Sequence, residues 1–181
     1  MPSRVIFLDR DGTLNVDRGF VHRVEDWEFT YRAPEALRDL RAAGYTIALV
    51  SNQSGIGRGY FTREDVDRLH AHVQRCLADH SVRLDALAIC PHVPEAACAC
   101  RKPGTGLARQ IEGQLPDPVD YRASWVIGDK VSDVQFGKAL GTHTALLNSQ
   151  YWSEDELEDQ PDVVAESLYA ATQAIIKCSS V

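Results

Sequence analysis

Apolar residues along the chain fall into two patterns that take turns. Short continuous runs occur at Arg4 to Leu8, Tyr45 to Val50, Ala86 to Ile89, Trp125 to Ile127 and His143 to Leu146, and runs of that length predict buried strands. Between them apolar positions recur every three or four residues, the period of a helix with one buried face. Pro34 suits the first turn of a helix running to about Ala43, and Gly44 suits its stop. Thr62-Arg63-Glu64-Asp65 reads as a capping-box start for a helix in which Val66, Leu69, Val73, Cys76 and Leu77 share one face, which makes Cys76 a core residue. A last helix is predicted from about Val163 to Lys177, after the break at Pro161, and the acidic stretch Glu154 to Glu158 reads as a solvated turn or short helix. Strands alternating with helices predict an α/β fold, a Rossmann-like parallel sheet with flanking helices.

The chain of 181 residues suffices for one domain, 1–181, and no linker, repeat or low-complexity segment marks a boundary within it. No apolar run reaches the ~18 residues needed to span a bilayer. Met1-Pro2-Ser3-Arg4 leads straight into the first strand without a signal-peptide segment, so a cytoplasmic protein with no membrane partner is expected. A net charge of −7 argues against a nucleic-acid partner, whose phosphate backbone it would repel. A small anionic substrate remains compatible, provided that a metal ion and a few cations neutralise it locally. Disulfides are not expected of five cysteines in a cytosolic chain.

Chemistry-bearing residues follow the strand-like runs. Asp9 and Asp11 close the first run and are followed by Gly12-Thr13, at the sheet edge where open α/β folds place ligands. Asp9 is the candidate nucleophile for a phosphoryl group, and Asp11 the candidate acid that protonates the leaving alcohol and later activates water. An isolated Asp-x-Asp-Gly can equally be an ordinary turn. Ser51-Asn52-Gln53-Ser54-Gly55 closes the second run, and there Ser51, Asn52 and Gln53 are candidates for binding phosphate or substrate, although Ser-Asn before Gly also suits a plain turn. Arg101 and Lys102 offer two cations in a loop as an anion clamp. Gly128-Asp129-Lys130-Val131-Ser132-Asp133 closes the fourth run: Asp129 is placed to join Asp9 in binding Mg²⁺, with Lys130 and Asp133 behind it. Asp133 either caps the next helix or orients Lys102 or a metal-bound water. Cys90, His92, Cys98 and Cys100 form Cys-x-His-x5-Cys-x-Cys, a strong signal for a closed, structural zinc site in a loop at about 90–100.

Taken in order, these segments resemble the haloacid dehalogenase-like phosphatases over essentially the whole chain. The resemblance implies an aspartyl-phosphate mechanism in which Asp9 is the nucleophile and Asp11 the acid/base, its backbone carbonyl also meeting Mg²⁺. Ser51 and Lys102 would then hold the phosphoryl group, and Asp129 would complete the metal site. The short gaps between segments leave no room for a separate cap domain. The zinc loop narrows the resemblance to a branch of small enzymes that act on heptose bisphosphates or on histidinol phosphate. Asn15 to His22 and Asn52 to Phe61 look like the heptose enzymes' flap and post-strand loop, whereas the short zinc loop and Gly104-Thr105-Gly106 depart from them. The expectation is a monomeric phosphomonoesterase that removes the 7-phosphate of a heptose bisphosphate, a small phosphorylated sugar, with Arg58 reading its distal phosphate. A histidinol-phosphate phosphatase, an inactive zinc-stabilised interaction module and a polynucleotide end phosphatase are the alternatives.

Overall fold

The computed structural model describes residues 1–179. Six strands, β1 (Val5–Leu8), β2 (Thr46–Asn52), β3 (Ala86–Cys90), β4 (Trp125–Gly128), β5 (His143–Leu147) and β6 (Val163–Ala165), form one sheet in the order β3-β2-β1-β4-β5-β6. Every neighbouring pair is parallel. Parallel strands need crossovers, and these carry α1 (Ala33–Ala42), α2 (Ser54–Gly57), α3 (Arg63–Asp79), α4 (Gly106–Glu112) and α5 (Val131–Leu140), while α6 (Leu168–Ser179) follows β6.

The period-two geometry of a strand explains why these strands read as continuous apolar runs. In β1, Ile6 and Leu8 point into a core closed by α1, α3 and α6 through residues such as Leu37, Leu69 and Ile175. Val5 and Phe7 point to the other side, against Leu107 and Ile111 of α4 and Phe136 of α5. Thr62 caps α3 as expected: its hydroxyl accepts from the Asp65 N–H at 3.2 Å, and Asp65 accepts from the Thr62 N–H at 2.8 Å. At the end of α1, Gly44 takes φ 86, the left-handed conformation that stops the helix.

Three expectations are corrected. Val163 does not open the last helix, because Val163, Val164 and Ala165 pair with Ala145, Leu146 and Leu147 as β6, and the helix begins at Leu168. Backbone hydrogen bonding to the edge of β5 outweighs the helical spacing there. Cys76 is only half-buried, its Sγ lying 3.3 Å from His72 Nε2. The buried face of α3 is instead Val66, Leu69, His70, Val73 and Leu77, so its stripe runs through His70. The seven-residue α4 has no counterpart among the expected helices.

Candidate active site

The strand order reverses at β1, whose neighbours β2 and β4 run in the same direction, so the segments leaving β1, β2 and β4 converge at one edge of the sheet. Asp9 follows β1 and its N–H bonds to Ile127 O of β4 at 2.9 Å. Asp11, Ser51, Asn52, Lys102, Lys130, Ser132 and Asp133 line a small hollow with Asp9. The turn after Asp11 requires Gly12: its φ is 83, and a Cβ there would lie 2.2 Å from Asp129 Oδ2.

Lys102 is the centre of the charge arrangement. Its ammonium donates to Asp9 Oδ1 (2.7 Å), Asp133 Oδ1 (2.6 Å) and Val50 O (2.9 Å), so all three protons are used in a buried place. An amide side chain anchors the backbone of the same residue: Asn52 Oδ1 accepts from the Lys102 N–H at 3.0 Å, and Asn52 Nδ2 donates to Lys102 O at 3.2 Å. Burial would lower the Lys102 pKa, but Asp133 and Asp9 outweigh it and hold the group charged. Asp133 serves both expected roles, since its Oδ2 also accepts from the Lys130 N–H at 3.1 Å at the start of α5.

Ligand atoms of Asp9, Asp129 and Asp133 lie within 4.8 Å of one another. Burial pushes Asp9 up to about 6, with Lys102 opposing and Asp133 adding. Burial pushes Asp129 up to about 8, and the charge of Asp9 adds to it. Asp129 Oδ1 is buried without a hydrogen-bond partner among the described residues. Crowded carboxylates, one with a stranded oxygen, are a donor set that fits a hard divalent cation such as Mg²⁺.

A separate set of partners holds the Asp11 carboxylate. Its carboxylate accepts from Arg10 Nε (3.1 Å) and Nη2 (2.9 Å), Gln53 Nε2 (2.8 Å) and Asn15 Nδ2 (3.1 Å). Burial raises its pKa, but Arg10 and these hydrogen bonds outweigh that and hold it below the usual carboxylate range. Arg10 is fully buried, with Nη2 donating to Val21 O at 2.5 Å and Nη1 facing His70 Nε2 at 3.4 Å. Burial, aided by Arg10, pushes His70 down to about 3, so the imidazole is neutral and accepts from the guanidinium. Sequence reasoning missed Arg10, Asn15 and His70, although His70 lies at helical spacing from Val66 and Val73. Gln53 also donates to Ser51 Oγ at 2.8 Å, which orients the hydroxyl.

Outside the hollow a cleft of about 370 Å³ is lined by Asp17, Phe20, Ser54, Arg101, Lys130 and Tyr151 among others. Arg101 therefore reaches it. Arg58 does not line this cleft: it is exposed where α2 ends. The α2 turn accounts for this, since Gly57 packs on the Pro91 carbonyl, where a Cβ would lie 2.7 Å away, and the chain then leaves the site.

Cys90, His92, Cys98 and Cys100 come together as expected, with Sγ of Cys98 3.5 Å from those of Cys90 and Cys100, and His92 Nδ1 3.3 Å from Cys100 Sγ. Tetrahedral zinc with Zn–S bonds of about 2.3 Å would set such edges at about 3.8 Å, so the cluster fits that ion. Burial pushes Cys90 up to about 12, while for Cys98 burial is outweighed by the Arg101 N–H and the neighbouring thiols, and it falls to about 6.

The HAD-hydrolase-like family model matches residues 99–171. The chain is 40% identical to the D-glycero-β-D-manno-heptose-1,7-bisphosphate 7-phosphatase of Pasteurella multocida, over 92% of this chain and 93% of that protein. It is 38% identical to the enzyme of that name from Escherichia coli K12, over 95% and 93%. Among solved structures, the D,D-heptose 1,7-bisphosphate phosphatase of B. bronchiseptica, complexed with magnesium and phosphate, matches with a TM-score of 0.83 at 31% identity, covering 96% of this chain and 98% of that one.

Proposed function

Since the chain belongs to the haloacid dehalogenase-like phosphatases, we propose that it is a Mg²⁺-dependent phosphomonoesterase that removes the 7-phosphate of D-glycero-β-D-manno-heptose 1,7-bisphosphate. The observation that carries this reading is the convergence of Asp9, Ser51 and Lys102 on one hollow at the carboxyl edge of the sheet, with Asp129 clustered against Asp9 and Asp133 beside it. Asp9 attacks phosphorus and the bond to the sugar oxygen breaks, leaving an acyl phosphate on Asp9. Asp11 gives the departing alkoxide its proton, then takes a proton from the water that attacks phosphorus and frees inorganic phosphate. Ionised at rest on Arg10, Asp11 gains its proton when the negative phosphate comes close, because a nearby like charge favours the neutral form.

Ser51 and Asn52 bind phosphoryl oxygens, the Lys102 ammonium, held by Asp9, Asp133 and Val50 O, offsets their charge, and Gln53 holds Ser51 and Asp11 in register. Asp9, the backbone carbonyl of Asp11 and Asp129 would hold Mg²⁺, which supplies charge neutralisation of the phosphoryl oxygens. Cys90, His92, Cys98 and Cys100 would hold zinc, fixing the loop that delivers Arg101 and Lys102. We assign Arg101, in place of Arg58, to the distal phosphate, and place a single 1–181 domain in the cytoplasm as a monomer.

Phosphate release should be measured from both anomers of heptose 1,7-bisphosphate and from histidinol phosphate, with Mg²⁺ and with chelator. The expected result is Mg²⁺-dependent turnover that is fastest on the β anomer, and none with Asp9→Asn. Near wild-type activity of Asp9→Asn would refute the acyl-phosphate route, and faster turnover of histidinol phosphate would move the substrate to that class.

A further inference from the structure

Two residues that the reaction above does not use meet across the mouth of the cleft. Tyr151, in the segment after β5, donates its hydroxyl to Asp17 Oδ2 at 2.8 Å, and Asp17 lies in the segment after β1. Both ends are braced. Asp17 Oδ1 accepts from the Gly19 N–H at 2.8 Å. The Tyr151 N–H donates to Ser149 Oγ at 3.1 Å, and Ser149 Oγ in turn donates to the Asp129 carbonyl at 2.6 Å. Lys130 Nζ sits 4.6 Å from the centre of the Tyr151 ring. Tyr151 and Asp17 are thus tied to the segment carrying Asp129, yet both remain partly open to solvent and line the cleft.

The hollow shares Asp11, Asn52, Lys102, Lys130 and Ser132 with the cleft. A phosphomonoester whose phosphorus reaches Asp9 must therefore lay its non-reacting part along the cleft. The strand order puts the Arg101 segment, after β3, on one side of β1 and the Tyr151 segment, after β5, on the other. Arg101 suits an anion; Asp17 does not. A carboxylate with spare lone pairs, beside a phenol oxygen that can still accept, is the chemistry that takes hydroxyl donors, and the ring edge next to it offers an apolar surface to C–H groups. We propose that Asp17 and Tyr151 read the hydroxyls of the substrate's non-reacting chain, which makes Tyr151 a specificity-determining residue. This rests on the assignment of the site as a sugar phosphatase.

The test compares kcat and KM of wild type, Tyr151→Phe and Asp17→Ala on heptose bisphosphate, on a panel of hexose and pentose phosphates, and on 4-nitrophenyl phosphate, which has no hydroxyl chain. Both variants should lose about ten- to a hundredfold more kcat/KM on the best sugar phosphate than on the aryl ester, the range for a lost charge-assisted hydrogen bond. The loss should fall mainly on KM. Equal losses on sugar and aryl substrates, or none on either, would overturn the proposal and leave the bond as a loop tie. If wild type prefers another sugar phosphate over heptose bisphosphate, the substrate assignment fails, and the same ratio measured on the preferred sugar still decides the role of Tyr151.

Discussion

Replacing Lys102 by Met leaves a side chain of similar length with no charge, and the structure sets how much this should cost. The ammonium lies 2.7 Å from Asp9 Oδ1 and 2.6 Å from Asp133 Oδ1. At an effective dielectric of ~20 each contact is worth about 6 kcal/mol of gross attraction. Most of that offsets the cost of burying the ammonium, so the net loss on removing one partner is about 3–5 kcal/mol. The loss must depend on pH. Without Lys102, which opposes the upward push of burial, the Asp9 carboxyl moves further above the ~3.8 expected of Asp in the unfolded chain, so the folded state holds a proton that the unfolded state has released. Stability then falls as pH rises through that window. Urea denaturation at pH 8 and pH 5.5, without divalent metal, should show the full deficit at pH 8 and a clearly smaller one at pH 5.5. Turnover at pH 8 should fall at least 10²–10³-fold, the scale for a lost electrostatic contact to a reacting group. A deficit below about 1 kcal/mol at pH 8, or the same deficit at both pH values, would refute the idea that Lys102 holds two ionised carboxylates together.

Because Asp129 is pushed up to about 8 and Asp9 to about 6, protons compete with Mg²⁺ for the same oxygens; affinity by titration calorimetry should strengthen about tenfold per pH unit between pH 6 and 8, and more steeply below 6. A flat profile would mean that Asp129 is not a ligand. Elemental analysis should find one zinc per chain, and Cys98→Ser should lose it and raise KM as Arg101 and Lys102 shift; zinc-free wild type prepared without chelator would refute that assignment.

The positions of Asp9, Ser51 and Asp129 were legible because each directly follows an apolar run, and a parallel sheet brings the ends of such runs to one edge. β1 to β5 fall within two residues of the expected bounds for the same reason. β6 was hidden because its three residues are too few to show alternation and run almost directly into the helical spacing of α6. Arg10 was hidden for a different reason. A guanidinium between two aspartates reads as a solvated charge, and only the fold reveals that Val21 O and His70 close around it. Arg58 and Arg101 were equally near the site in sequence. The backbone separates them: Arg58 is exposed at the end of the four-residue α2, whereas Arg101, next to Cys100 of the Cys/His cluster, lines the cleft.

The acidic balance of the chain and its anionic substrate are reconciled at the hollow itself. Asp9, Asp129 and Asp133 crowd together, while Lys102 engages Asp9 and Asp133 and Lys130 Nζ stays 3.8 Å from Asp129 Oδ1. Once Asp129, held up to about 8, has lost its proton, three carboxylates face two ammonium groups; that surplus of negative charge would repel a phosphate dianion, and a divalent cation taking the proton's place removes it. The cation must then precede the substrate, and by linkage phosphate must tighten the cation in the same proportion. Arg10 fits this order, for it neutralises Asp11 and keeps that fourth carboxylate from adding to the repulsion before the phosphate has entered.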